Sequence, residues 1–210
     1  MKGKISPLFF ALILAAGCSS LLTSSTPPQN YYQIEYDPSK VACAKSFGRA
    51  VKVWDFSTSS PYNRPEMVVF EADRRVLYSS AHQWVARPGT LVAESLLRDL
   101  DLGSLFPQAV GADSPVVAPL ELSGRVLVFG WEKRGPQFKA VFQVEVTLTD
   151  TEDGGKLLFR RDYRFESKPF NENSASQFAQ AMSGLIKDFS TNFRLDLCAT
   201  LTGSHGDRRP

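Results

Sequence analysis

FKAVFQVEVTLTDTEDGGKLLFRRDYRF, residues 138 to 165, decides the fold class. Phe138, Ala140, Phe142, Val144, Val146 and Leu148 occupy alternate positions, with Lys139, Gln143, Glu145, Thr147 and Thr149 between them and Val141 as the exception. A period of two puts these sets on opposite sides of a strand, one dry and one wet. DTEDGGK then reads as a solvated hairpin turn into a second strand, LLFRRDYRF. Asp150, Glu152 and Asp153 raise the question of calcium, but they lack the ligand spacing of a calcium loop.

Downstream, NSASQFAQAMSGLIKDFSTNF repeats Phe178, Met182, Leu185, Ile186, Phe189 and Phe193 at helical intervals, with Ser174 and Gln177 at capping-box spacing. A long C-terminal helix with its stripe packed on the sheet is expected. Upstream, TLVAESLLRDL follows Pro88 and puts Val92, Ala93, Leu96, Leu97 and Leu100 on one face, with Glu94 four residues before Arg98. YYQIEY (31–36) and RAVKVWDF (49–56) read as early strands, and MVVFEADRRVLYS as a hairpin turning at Ala72 to Arg74. Strands and helices in runs predict an α+β fold: a mainly antiparallel sheet carrying a Pro-led central helix and the long C-terminal helix.

In LSGRVLVFGWEK, strict alternation sets Leu122, Val126 and Val128 on one face and Leu127, Phe129 and Trp131 on the other. Both faces are then apolar. One must receive the helices; the other is either covered by a second layer or exposed to a partner. Trp84 poses the same choice, and Trp84, Phe129 and Trp131 are the candidate partner-binding residues.

The N-terminus begins with Lys2 and Lys4, runs through an apolar segment from Pro7 to Ala16, and ends LAAGC at Cys18. About ten apolar residues target a chain but do not span a bilayer, which takes ~20. Small residues leading directly into a cysteine resemble the lipobox of bacterial lipoproteins, although Ala15 stands where Leu is usual and Leu14 lies one place earlier. The expectation is a signal peptide over residues 1–17 and lipid attachment at Cys18, with palmitate among the acyl chains. The alternative is an ordinary signal with an incidental cysteine. Ser19, not Asp, follows the cysteine, which resembles a lipoprotein sorted to the outer membrane and facing the periplasm.

Residues 18–30 read as the lipidated N-terminus and a flexible tether: SSLLTSSTPPQN is poor in charge, and Pro27 and Pro28 break it. Twelve extended residues reach about 40 Å. Residues 31–202 form one domain, and GSHGDRRP (203–210) reads as a disordered tail. Losing Lys2 and Lys4 with the signal leaves 22 basic against 22 acidic residues, and no basic stripe carries interleaved aromatics, so no nucleic-acid partner is expected. Cys43 and Cys198 are the other cysteines. An oxidising compartment favours their pairing; two buried free thiols are the alternative.

Catalytic patterns are missing. His82 and His205 are the two histidines, with no G-x-S-x-G, H-E-x-x-H, P-loop or C-x-x-C, so no enzyme, cofactor or metal site is expected and a hydrolase built on His82 is the weak alternative. Asp99 and Asp101 read as solvated charges at a helix end.

RPEMVVFEADRRVLYSSAHQWVARPGTLVAESLLRDL, residues 64–100, resembles the ABC-type transport auxiliary lipoprotein family, also called the paraquat-inducible protein C type. Arg64, Pro65, Val68, Trp84 and Pro88 carry the likeness, while Phe70 replaces an Arg common in the family and Arg87 an acid. The resemblance implies a non-catalytic accessory to an ABC-type transporter of lipids or other hydrophobic compounds, in which a mammalian-cell-entry-domain protein bridges the envelope. A structural or assembly lipoprotein without a transporter is the alternative.

Overall fold

The hairpin of residues 138–165 is the spine of a nine-stranded sheet. In the computed structural model, which describes residues 28–71, 73–170 and 174–203, the chain orders as β1 (Asn30–Tyr32), β2 (Val51–Val53), β3 (Ser57–Thr58), β4 (Glu66–Phe70), β5 (Val76–Trp84), α1 (Pro88–Asp101), β6 (Ala109–Gly111), β7 (Leu120–Arg134), β8 (Gln137–Asp150), β9 (Lys156–Glu166) and α2 (Ala175–Gly203). The alternation read along β8 holds: Phe138, Ala140, Phe142, Val144, Val146 and Leu148 are buried, with Lys139, Gln143, Glu145, Thr147 and Thr149 part-exposed. Its exception, Val141, is buried on the other face.

The sheet is mixed, which corrects the expectation of a mainly antiparallel one. β8 takes one edge of β7 over its whole length, antiparallel, and β9 extends β8 in the same way. Along the other edge of β7, residues 51–70 follow its direction in three short pieces: β2 against Leu120–Leu122, β3 against Arg125 and Val126, β4 against Trp131 and Glu132, all parallel. Two further parallel pairs, β1 with β5 and β2 with β6, complete it. Strands of two or three residues are too short to show a period, so the sequence holds no signal for these pairings. The expected strand at 31–36 is likewise cut to Asn30–Tyr32, because the chain then leaves the sheet for α2, where the Ser183 hydroxyl accepts the Glu35 N–H at 3.1 Å.

Both helices pack on the same side of this sheet. α1 starts with Pro88 at its first position, where a missing N–H costs nothing, and its Leu91, Val92, Ala93, Leu96 and Leu100 are buried. Gly89 is required there: a side chain would collide with the Phe56 carbonyl and the Thr58 hydroxyl of the passing strand. The expected Glu94–Arg98 pair gives way to Arg98 with Asp99 at 3.2 Å. α2 starts as its sequence foretells, with Ser174 Oγ accepting the Gln177 N–H at 3.3 Å. Its buried stripe runs from Phe178 to Leu197 across β8 and β9, each large side chain contributing roughly 1.5–3 kcal/mol. Among the described residues no helix is long and apolar enough to cross a membrane.

Gly154 and Gly155 take positive φ angles in the β8–β9 turn. That turn's acids are occupied: Asp150 binds Arg49 at 2.6 Å and the Glu152 N–H at 3.1 Å, and Asp153 binds Lys156 at 2.8 Å. It is the hairpin turn read from the sequence.

Candidate functional site

Trp84, Phe129 and Trp131, expected as a partner-binding surface, are interior residues, exposed by 1%, 1% and 4%. The reason is a β-bulge. Val126 pairs with Val144 and Val128 with Gln143, so Leu127 is an extra residue in β7 and the faces swap after it. Phe129 and Trp131 thereby join Leu120, Leu122 and Val126 beneath the helices, and Val128 turns to the outer face, on the side of Val141. Trp84 packs edge-on to Phe129 at 5.3 Å and to Phe178 of α2 at 5.5 Å, and Trp131 lies 4.7 Å from the Phe178 ring and 5.8 Å from Phe138. Aromatic anchors from β5, β7, β8 and α2 thus meet in one cluster that joins the sheet to α2. The Trp131 Nε1–H has no hydrogen-bond partner there.

Cys43 and Cys198 form a disulfide with Cα atoms 5.5 Å apart across 155 residues of chain. It ties the N-terminal arm, residues 33–47, to the last turns of α2. Beside it lies a buried polar knot that pattern reading missed. Asp99 is fully buried, not solvated at a helix end, and its carboxylate accepts the Tyr36 hydroxyl at 2.9 Å and the Ser190 hydroxyl at 2.5 Å. Arg194, 2% exposed, donates to the carbonyls of Ser190, Asp99 and Ser39. Burial, with the Asp99 charge adding to it, pushes the Tyr36 phenol well above its ordinary value, and burial draws the Arg194 guanidinium downward. The arm is therefore fastened to α1 through Tyr36 and to α2 through Glu35, Ser39 and Cys43. Cys18, the expected lipid attachment site, lies outside the described residues, as do residues 1–27 and 204–210.

The remaining concave surfaces are open. A hollow of about 580 Å³ on the outer face of the sheet has a floor of Tyr62, Phe70 and Val128 and a rim of Glu71, Arg74, Glu132 and Lys133. Nearby, the Arg64 guanidinium stacks 3.8 Å from the Tyr78 ring. A depression of about 300 Å³ between α1 and β6 is lined by Asp55, Glu94 and Asp113 over Val53, Ala93 and Leu97. No group of three His, Cys, Asp or Glu among the described residues is arranged to hold a metal ion. His82 meets the Tyr32 hydroxyl at 3.3 Å through Nδ1. These surfaces offer apolar contact and charge.

A family model for the ABC-type transport auxiliary lipoprotein component matches residues 32–192, from the end of β1 to a little past the middle of α2. The chain belongs to that family. Its core is the layer structure just described, and the family's members are accessory lipoproteins. Among solved structures, protein XCC0632 from Xanthomonas campestris, itself of the family DUF330, superposes with a TM-score of 0.72 at 13% identity, over 85% of this chain and 98% of that one. A second, described as an uncharacterized protein, gives 0.63 at 17% identity over 81% and 99%. At these identities the likeness is one of fold. No curated protein matches the chain in sequence.

Proposed function

We propose that this chain is a non-catalytic lipoprotein of the outer membrane, acylated at Cys18 and facing the periplasm, that serves an ABC-type system moving lipids or other hydrophobic compounds and contacts that system's mammalian-cell-entry-domain protein. The observation that carries this reading is the family match over residues 32–192, most of the folded domain, downstream of a signal-like segment ending in LAAGC. The fastening of the arm supports it. A chain held by its N-terminus transmits any pull into Asn30 and the residues after it. Such a pull meets the sheet first, through β1 paired with β5, and the contacts Tyr36–Asp99, Ser39–Arg194 and Cys43–Cys198 that follow tie the next residues to both helices.

The test has two parts on the full chain. Cys18→Ser should abolish acyl labelling and release the protein from the membrane fraction. The native protein, solubilised in detergent, should co-purify with a mammalian-cell-entry-domain protein. Unchanged labelling in Cys18→Ser removes the anchor. Co-purification with an outer-membrane β-barrel alone replaces the transport role with an assembly role.

A further inference from the structure

Around the hollow on the outer face of the sheet, two arginines have no countercharge. Arg64, on the connection from β3 into β4, lays its guanidinium 3.8 Å from the Tyr78 ring. Its Nε–H is buried without an acceptor, and its side chain makes no ion pair or hydrogen bond among the described residues. Arg74, in the turn between β4 and β5, takes a φ of 70°, the left-handed conformation that glycine adopts without strain. Backbone bonds close that turn, Arg74 N–H to the Glu71 carbonyl and Glu71 N–H to the Arg75 carbonyl, both at 3.0 Å. Glycine would serve them better. The Arg74 side chain is exposed, lines the hollow, and makes no ion pair or hydrogen bond among the described residues. A strained residue whose side chain gives nothing back to the fold points to a use outside the chain.

The acids beside these arginines are already matched. Glu71 pairs with Arg75 and lies 3.8 Å from Lys133, Asp73 pairs with Arg75 at 2.6 Å, and Glu132 faces Arg164 at 3.9 Å. The uncompensated charge is therefore positive. Between the two arginines the surface is aromatic. Tyr78 stands opposite Val68 in the β4–β5 ladder, two places from Phe70, so it shares the outer face with Phe70, whose ring lies 5.4 Å from Tyr62. Tyr78 is 43% exposed. Tyrosine and arginine around an apolar floor are the composition of a protein–protein contact centre. A pocket for a small molecule encloses most of its ligand, which this open hollow does not do.

We propose that this face receives a segment of another protein in which carboxylates neighbour an apolar side chain. The apolar side chain enters the hollow on Tyr62, Phe70 and Val128, and the carboxylates accept hydrogen bonds from Arg74 at the rim and from Arg64 beside Tyr78. The surface stands on its own chemistry; that the segment belongs to the mammalian-cell-entry-domain protein rests on the proposed function.

The experiment uses the full-length chain in intact cells, with Tyr78 replaced by the photoreactive p-benzoylphenylalanine and the crosslinked peptides sequenced by mass spectrometry. The expected adduct is to a different protein, on a segment with Asp or Glu within a few residues of the apolar attachment point. Arg74→Glu should cut its yield by about tenfold or more at an unchanged melting temperature. Replacing the mapped carboxylate of the segment by Lys should restore the yield in Arg74→Glu. Arg64→Glu should also lower it, and if that variant loses stability with its Tyr78 contact, Arg74→Glu carries the test. Lys187→Glu, on α2 across the sheet, is the control for net charge and should change nothing. Such an adduct to the mammalian-cell-entry-domain protein upholds both the surface and the proposed function. The same kind of adduct to another protein upholds the surface and removes the proposed partner. No adduct, an adduct to lipid or to a second copy of this chain, or a yield unchanged in Arg74→Glu overturns the proposal.

Discussion

Trp131→Ala separates a structural tryptophan from a contact one. Trp131 is 4% exposed and packs on Phe178, Phe138 and Phe170, so truncation removes one side of the cluster that joins β7 to the first turns of α2. Deleting a buried tryptophan side chain costs about 3–5 kcal/mol, the lost transfer free energy plus the cavity left behind. For a domain of this size that lowers the melting temperature by roughly 6–20 °C. Trp131→Phe should cost less than half as much. It keeps most of the ring contact and also removes an indole N–H that is buried without an acceptor, a burden of about 1–3 kcal/mol. Trp54, 39% exposed, is the control, and Trp54→Ala should cost under about 1 kcal/mol. Urea and thermal unfolding followed by circular dichroism read all three. A Trp131→Ala variant within about 1 kcal/mol of wild type would refute the placement of Trp131 in the core and, with it, the bulge at Leu127.

Three further outcomes follow from the arm and the turn. Cys43→Ser/Cys198→Ser should lower stability by up to roughly 5 kcal/mol in denaturant titration, the loop-closure value for so long a loop. Asp99→Ala should cost about 3–5 kcal/mol, because it strands the Tyr36 and Ser190 hydroxyls and leaves the Arg194 guanidinium buried without its countercharge. The Arg49 guanidinium holds the Asp150 carboxyl below its ordinary 3.8. Their contribution is therefore complete above that value and is lost as pH falls through the lower folded-state value. Wild type and Asp150→Asn should differ in stability near neutral pH and converge in strong acid, as read by unfolding across a pH series.

How far the sequence could be read depended on how local each determinant was. β8 was legible because the alternation from Phe138 to Thr149 has one exception, Val141, and α2 because its stripe and its Ser174 cap agree. The faces of β7 were not legible. One inserted residue, Leu127, moved Phe129 and Trp131 to the opposite side from the one that parity assigned. A bulge carries no compositional mark when all its neighbours are apolar, as in RVLVF. β2 was legible as a strand within 49–56, but its parallel pairing with β7 was not, and β3, Ser57–Thr58, was hidden by length. Asp99 looked solvated because it shares a helix end with Arg98 and Asp101. Its burial depends on Tyr36, 63 residues away, and Ser190, 91 residues away, and no window of sequence contains all three. Cys43 and Cys198 were the opposite case: a pairing inferred from their number and an oxidising compartment, and present in the structure.

Co-purification under chemical crosslinking in intact cells tests the central claim most directly. The full-length chain, captured from the membrane fraction and analysed by mass spectrometry, should bring with it a mammalian-cell-entry-domain protein and, in lower yield, the permease and ATPase of one ABC system, with crosslinks on residues of the described domain. Capture of the chain at full yield with none of these components would contradict an accessory role in transport.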